Sequence, residues 1–142
     1  MPADPSMPPA RTAGLLHHEL TGKLLQYFFE VYNELGSGFL EAVYVQAYAN
    51  VLRDARIAFE REIRLTVRFR GESVGICKPD FIVAEAVVIE CKAVGTLDAS
   101  HRAQLWNYLR ATGLEVGLLL NFGPIPEFKR IVQSRLARPG GM

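Results

Sequence analysis

Residues 114–122, LEVGLLLNF, limit what this chain can fold into more than any other stretch. The run carries apolar side chains on both faces, and a strand buried on both faces is a central strand of a sheet with helices laid over it. Helices to cover it are present. In residues 17–35, Leu20, Leu24, Phe28, Val31 and Leu35 follow the period of an amphipathic helix, which Gly36-Ser37-Gly38 stops. Residues 39–56 read as a second helix through Leu40, Val43, Ala47, Val51 and Leu52, and residues 98–112 as a third, with Asp98 or Thr96 as N-cap and Gly113 beyond its end.

The remaining segments alternate or run apolar. Residues 60–69 place Ile63, Leu65, Val67 and Phe69 on one face and Arg64, Thr66, Arg68 and Arg70 on the other, which predicts a half-buried strand. A turn at Arg70-Gly71-Glu72-Ser73 leads to a returning strand over residues 74–83, and a turn near Ala84-Glu85 to a third over residues 86–93. After Gly123-Pro124-Ile125-Pro126, residues 127–133 read as an edge strand. The predicted order is ααβββαβ(β), a single α/β domain with a small mixed sheet flanked by helices. It spans residues 17–133, between a flexible Pro-rich tail at 1–16 and a frayed end at 134–142.

At 142 residues the chain fits one domain. A net charge of +1 gives no overall basic footprint, so any contact with nucleic acid must be local. Cys77 and Cys91 lie inside apolar runs, which reads as buried free thiols in a reducing cytoplasm. No stretch reaches the ~18 apolar residues of a membrane span.

One strand breaks the apolar rule. Residues 86–93, AVVIECKA, end with Glu90 and Lys92 two apart and therefore on the same face. With a hairpin turning near Ala84-Glu85, Asp80 falls opposite Glu90. Two facing carboxylates raise each other's pKa unless a cation lies between them, and Mg²⁺ is the natural choice because it prefers oxygen ligands. A Glu-x-Lys triplet alone is too common to carry this reading, and a strand end emerging into solvent is the commoner explanation of it.

Context adds weight. Pro79-Asp80 followed by Glu90-Cys91-Lys92 resembles the PD-(D/E)xK nuclease signature. Gly38-Phe39-Leu40-Glu41-Ala42-Val43-Tyr44 resembles the motif of its GxxExxY family, and Gln104-Leu105-Trp106-Asn107-Tyr108 resembles the QxxxY element of RecB-like nucleases. The resemblance implies a restriction-endonuclease-like core and a nuclease that hydrolyses phosphodiester bonds of nucleic acid, DNA first, with a water activated by Mg²⁺ or Mn²⁺. It implies Asp80, Glu90 and the Cys91 backbone carbonyl as metal ligands, with Glu41 reaching the site directly or through water. Lys92 would position or activate the attacking water, and Gln104 and Tyr108 would orient Lys92 or hold a phosphate.

Each residue also has a structural reading. Glu41 suits a helix N-terminus, Tyr44 suits packing, and Gln104 and Tyr108 suit a helix rim. His101 reads as a surface histidine, and Trp106 as core or interface. Arg64, Arg68 and Arg70 share a strand face and could track a phosphate backbone. They could equally be solvated beside Glu60, Glu62 and Glu72. Leu105, Trp106, Tyr108 and Leu109 lie on more than one face of their helix, which points to a homo-oligomer. The alternative to an enzyme is a nucleic-acid-binding or self-assembling scaffold that keeps the fold without turnover.

Overall fold

In a computed structural model of the chain, residues 17–133 are described. The tails expected at 1–16 and 134–142 lie outside the described residues. The elements are α1 (His18–Leu35), α2 (Glu41–Asp54), β1 (Phe59–Arg61), β2 (Leu65–Phe69), β3 (Glu72–Cys77), β4 (Phe81–Val83), β5 (Val87–Lys92), α3 (Ala99–Thr112), β6 (Val116–Asn121) and β7 (Glu127–Val132). Five strands form one mixed sheet in the order β1-β4-β5-β6-β7, with β5 and β6 parallel and the other pairs antiparallel. The chain is thus an α/β domain with a small mixed sheet between helices.

Side-chain alternation divides the core into two layers. Val87, Ile89, Cys91, Val116, Leu118, Leu120 and Phe122 pack with Leu24 and Phe28 of α1 and Tyr44 and Tyr48 of α2. The buried Tyr48 hydroxyl is satisfied by the Leu24 carbonyl at 2.8 Å, which ties the two helices together. On the other face Val88 and Leu119 pack with Leu105, Tyr108 and Leu109 of α3. Each such side chain contributes ~1.5–3 kcal/mol when fully buried. Gly117 lets α3 lie close, since a Cβ there would meet Leu105 Cδ1 at 2.9 Å. Asp98, not Thr96, caps α3: its carboxylate accepts from the Ser100 and His101 amides, and the Asp98 amide donates to His101 Nδ1.

The strands after α2 differ from the sequence expectation. Residues 60–69 are not one strand: β1 joins the main sheet, Glu62 turns with φ 51, and β2 starts a separate ribbon. Residues 74–83 divide likewise at Lys78-Pro79-Asp80 into β3 and β4. Pro79 has no amide hydrogen to donate to a ladder, so a central strand cannot run through it. The order is therefore ααβββββαββ. The β2–β3 ribbon is also not half-buried: Val67, Phe69, Val74 and Ile76 are all exposed.

Candidate active site

The β4–β5 register decides what faces Glu90. Phe81 pairs with Ile89, so the residue before Phe81 comes opposite the residue after Ile89. The Asp80 amide donates to Glu90 Oε1 at 3.0 Å, and the Cys91 amide donates to Asp80 Oδ2 at 2.8 Å. This reciprocal pair locks both carboxylates in place. Lys92 Nζ lies 3.5 Å from Glu90 Oε2. Glu90 is only 5% exposed, so the solvated strand end is excluded.

Burial is the main reason both acids resist ionisation. It raises Glu90 to about 8, helped by the facing Asp80 and opposed by the Asp80 amide and Lys92. Asp80 is raised by burial too, opposed by the Cys91 amide, Glu90, Lys92 and Arg61. The proton that burial keeps on Glu90 eases the repulsion between the two side chains. At neutral pH the group that replaces this proton has to be a cation, and two facing carboxylates suit a hard one. The described residues include no group of three or more His, Cys, Asp and Glu side chains poised to chelate an ion. An ion here would therefore draw on the two acids, backbone oxygen and water, as Mg²⁺ does.

Glu41 comes from the other layer. Tyr44, one turn into α2, donates to the Gly36 carbonyl at 2.5 Å and accepts from the Phe39 amide at 3.2 Å. It also stacks on Phe122, with ring centroids 4.7 Å apart. Gly38 adopts φ 110 in the loop so held, a conformation open to glycine. Tyr44 is thus a packing residue that fixes the start of α2, where Glu41 is the first residue. Partial burial and Asp80 raise Glu41, while Lys92 and His101 lower it, so all three lie within its electrostatic reach.

On the sheet face shared with α3, the Tyr108 hydroxyl is hydrogen-bonded to Gln104. Burial and the charges of Glu90, Cys77 and Asp80 push it well above the ordinary tyrosine range. Of the pair expected from the sequence, Tyr108 thus lies within electrostatic reach of both carboxylates. Leu105, Leu109 and Tyr108 are spent in the chain's own core, so they supply no subunit surface.

The arginines divide. Arg64 precedes β2, Arg70 sits in the ribbon turn with φ 53 and lies 5.0 Å from the centroid of the Phe69 ring, and only Arg68 turns to the α3 side. Three further residues have parts that the sequence reading did not give them. Arg61 is held by Gln46 Oε1 at 2.9 Å and acts on Asp80, through a β1–β4 pairing that the sequence conceals. His101 is partly buried rather than a surface histidine, with its side chain 19% exposed. Asn121 accepts from the Val94 and Gly123 amides and donates to the Val94 carbonyl and Glu127, which clamps the exit of β5 just past Lys92. Its one sequence signal was an amide at the end of an apolar strand.

Residues 18–131 match the family described as the PD-(D/E)XK nuclease superfamily. The chain belongs to that superfamily. No curated protein matches it. Among solved structures, this PD-(D/E)XK chain is similar to an alkaline exonuclease (LHK-Exo) from Laribacter hongkongensis, at 13% identity and a TM-score of 0.46, over 62% of this chain and 53% of that one. It is also similar to SSO0001, at 21% identity and a TM-score of 0.48, over 75% of this chain and 61% of that one. The chain thus spans less than two thirds of the length of either structure. Among the described residues, no helix is long and apolar enough to cross a membrane.

Proposed function

We propose that this chain is a metal-dependent nuclease of the GxxExxY kind that hydrolyses phosphodiester bonds in DNA. The observation that carries the reading is the pairing of buried Glu90 with half-buried Asp80, Lys92 lying 3.5 Å from Glu90, since a scaffold has no use for two acids forced together against their charge. Mg²⁺ or Mn²⁺ would be held by Asp80, Glu90, the Cys91 carbonyl and, through water, Glu41, and when bound it supplies positive charge that neutralises the phosphate and makes water more acidic.

The chain's own groups do the rest. Lys92 orients the attacking water and stabilises charge that develops on the phosphate. Gln104 and Tyr108 hold a non-bridging phosphate oxygen. The water oxygen bonds to phosphorus, one ester P–O bond breaks, and the departing oxygen takes up a proton, leaving a phosphomonoester and a hydroxyl. Two free cysteines agree with a cytoplasmic setting. The outward Val74 and Ile76 of the ribbon support a homo-oligomer, which sedimentation at micromolar concentration checks.

Linear single-stranded DNA and supercoiled plasmid, each incubated with Mg²⁺ or Mn²⁺, test the activity. Cleavage of either by the wild type is expected to fall steeply in Asp80→Asn, Glu90→Gln and Lys92→Ala. Equal cleavage by Lys92→Ala would end the nuclease reading and leave the binding or assembly scaffold.

A further inference from the structure

The β2–β3 ribbon and α3 enclose a cleft of about 950 Å³. Its charged lining residues are Arg68 on the ribbon and Arg110 in the last turn of α3, and no carboxylate among the described residues lines it. The cleft therefore favours an anion. Its surface is not that of a simple phosphate site, however. Apolar Val67, Ala103 and Ala111 alternate with the amides of Gln104 and Asn107, a mixture that suits the faces and edges of bases.

The cleft adjoins the carboxylate site through two of its lining residues. Tyr108 and Cys77 line it, and both lie within electrostatic reach of Glu90. A strand laid between the arginines passes Tyr108, which lies within electrostatic reach of Asp80 and Glu90. The walls are one hairpin and one helix, and the volume sits at the top of the ~300–1,000 Å³ range of small-ligand pockets. That is room for a few nucleotides of one strand.

We propose that this cleft is the channel for single-stranded DNA, so that the substrate is a single strand or a single-stranded end threaded between the ribbon and α3. The cutting step rests on the nuclease reading, whereas the binding does not. Fluorescence anisotropy in EDTA tests it, with a short labelled single-stranded DNA and a blunt duplex of the same length. The single strand is expected to bind about tenfold more tightly than the duplex. Ala103→Trp, which fills the cleft from an exposed helix position, and Arg110→Ala should each weaken that binding about tenfold. Arg53→Ala removes the same charge from the last turn of α2, far from Glu41, and should stay within about twofold. Circular dichroism checks folding, and Arg68→Ala replaces any variant that fails it.

Equal affinity for the two DNAs, or binding unaffected by both Ala103→Trp and Arg110→Ala, would overturn the channel. Because no metal is present, the two readings fail separately. Single-strand binding without metal-dependent cleavage removes the nuclease reading alone, and cleavage without a single-strand preference removes the channel alone.

Discussion

β5 and β3 have similar compositions and opposite fates. VVIECK is buried along its length except for the partly covered Lys92, whereas ESVGIC is exposed up to its final cysteine. The difference lies in the neighbours. β5 has strands on both sides and helical layers on both faces, while β3 has only β2 beside it and the flank of α3 near its end. Two-stranded ribbons are marginal on their own, so this one depends on its anchor at Cys77 and Leu65. Both regions break the burial rule, in opposite senses: the sheet buries a carboxylate pair and the ribbon exposes Phe69, Val74 and Ile76. Departures of this kind are where a functional site is expected.

Several changes break or sharpen this contrast. The largest effect belongs to the buried acids. Asp80→Asn or Glu90→Gln should lower metal-dependent cleavage by at least ~10³-fold while circular dichroism stays native, because only the charge that holds the cation is lost. Lys92→Ala should cost on the order of 10²–10³-fold by the same assay.

Stability should then separate core from ribbon. Leu119→Ala, under α3, is expected to cost ~2–5 kcal/mol in urea unfolding. Val74→Ser, on the ribbon, should stay within ~0.5 kcal/mol. Comparable losses at the two positions would mean that the ribbon is covered in solution.

Asn121→Ala strands the Val94 and Gly123 amides, so ~1–3 kcal/mol should be lost, with cleavage falling as Lys92 loosens. The smallest effects come from pH. Glu90 is raised from 4.5 to about 8, so the folded protein keeps a proton that the unfolded chain releases. Its contribution is complete below the unfolded value and is lost as pH rises through the folded one. In EDTA the Tm should therefore fall between about pH 5 and pH 8, and Glu90→Gln should flatten that fall.

Much of this was legible in the sequence, for identifiable reasons. The three helices follow from their apolar period, and the Asp80–Glu90 pairing follows from a turn placed near Ala84-Glu85. That turn holds both residues at φ 53 without a glycine, a strained choice that its composition does not advertise. The alternation of residues 60–69 runs unbroken through the point where β1 and β2 part, so pattern alone joined them. Pro79 carried the matching signal for residues 74–83. What pattern could not supply was any meeting of distant segments, such as Arg61 with Asp80 or His101 with Glu41.

Calorimetric titration of Mg²⁺ or Mn²⁺ into wild type and Asp80→Asn, in two buffers of different ionisation enthalpy, tests the site most directly. If Asp80 and Glu90 hold the cation, the wild type binds it with release of the Glu90 proton and Asp80→Asn does not bind. Equal binding by both proteins, or no binding by the wild type, would contradict a metal between those two carboxylates.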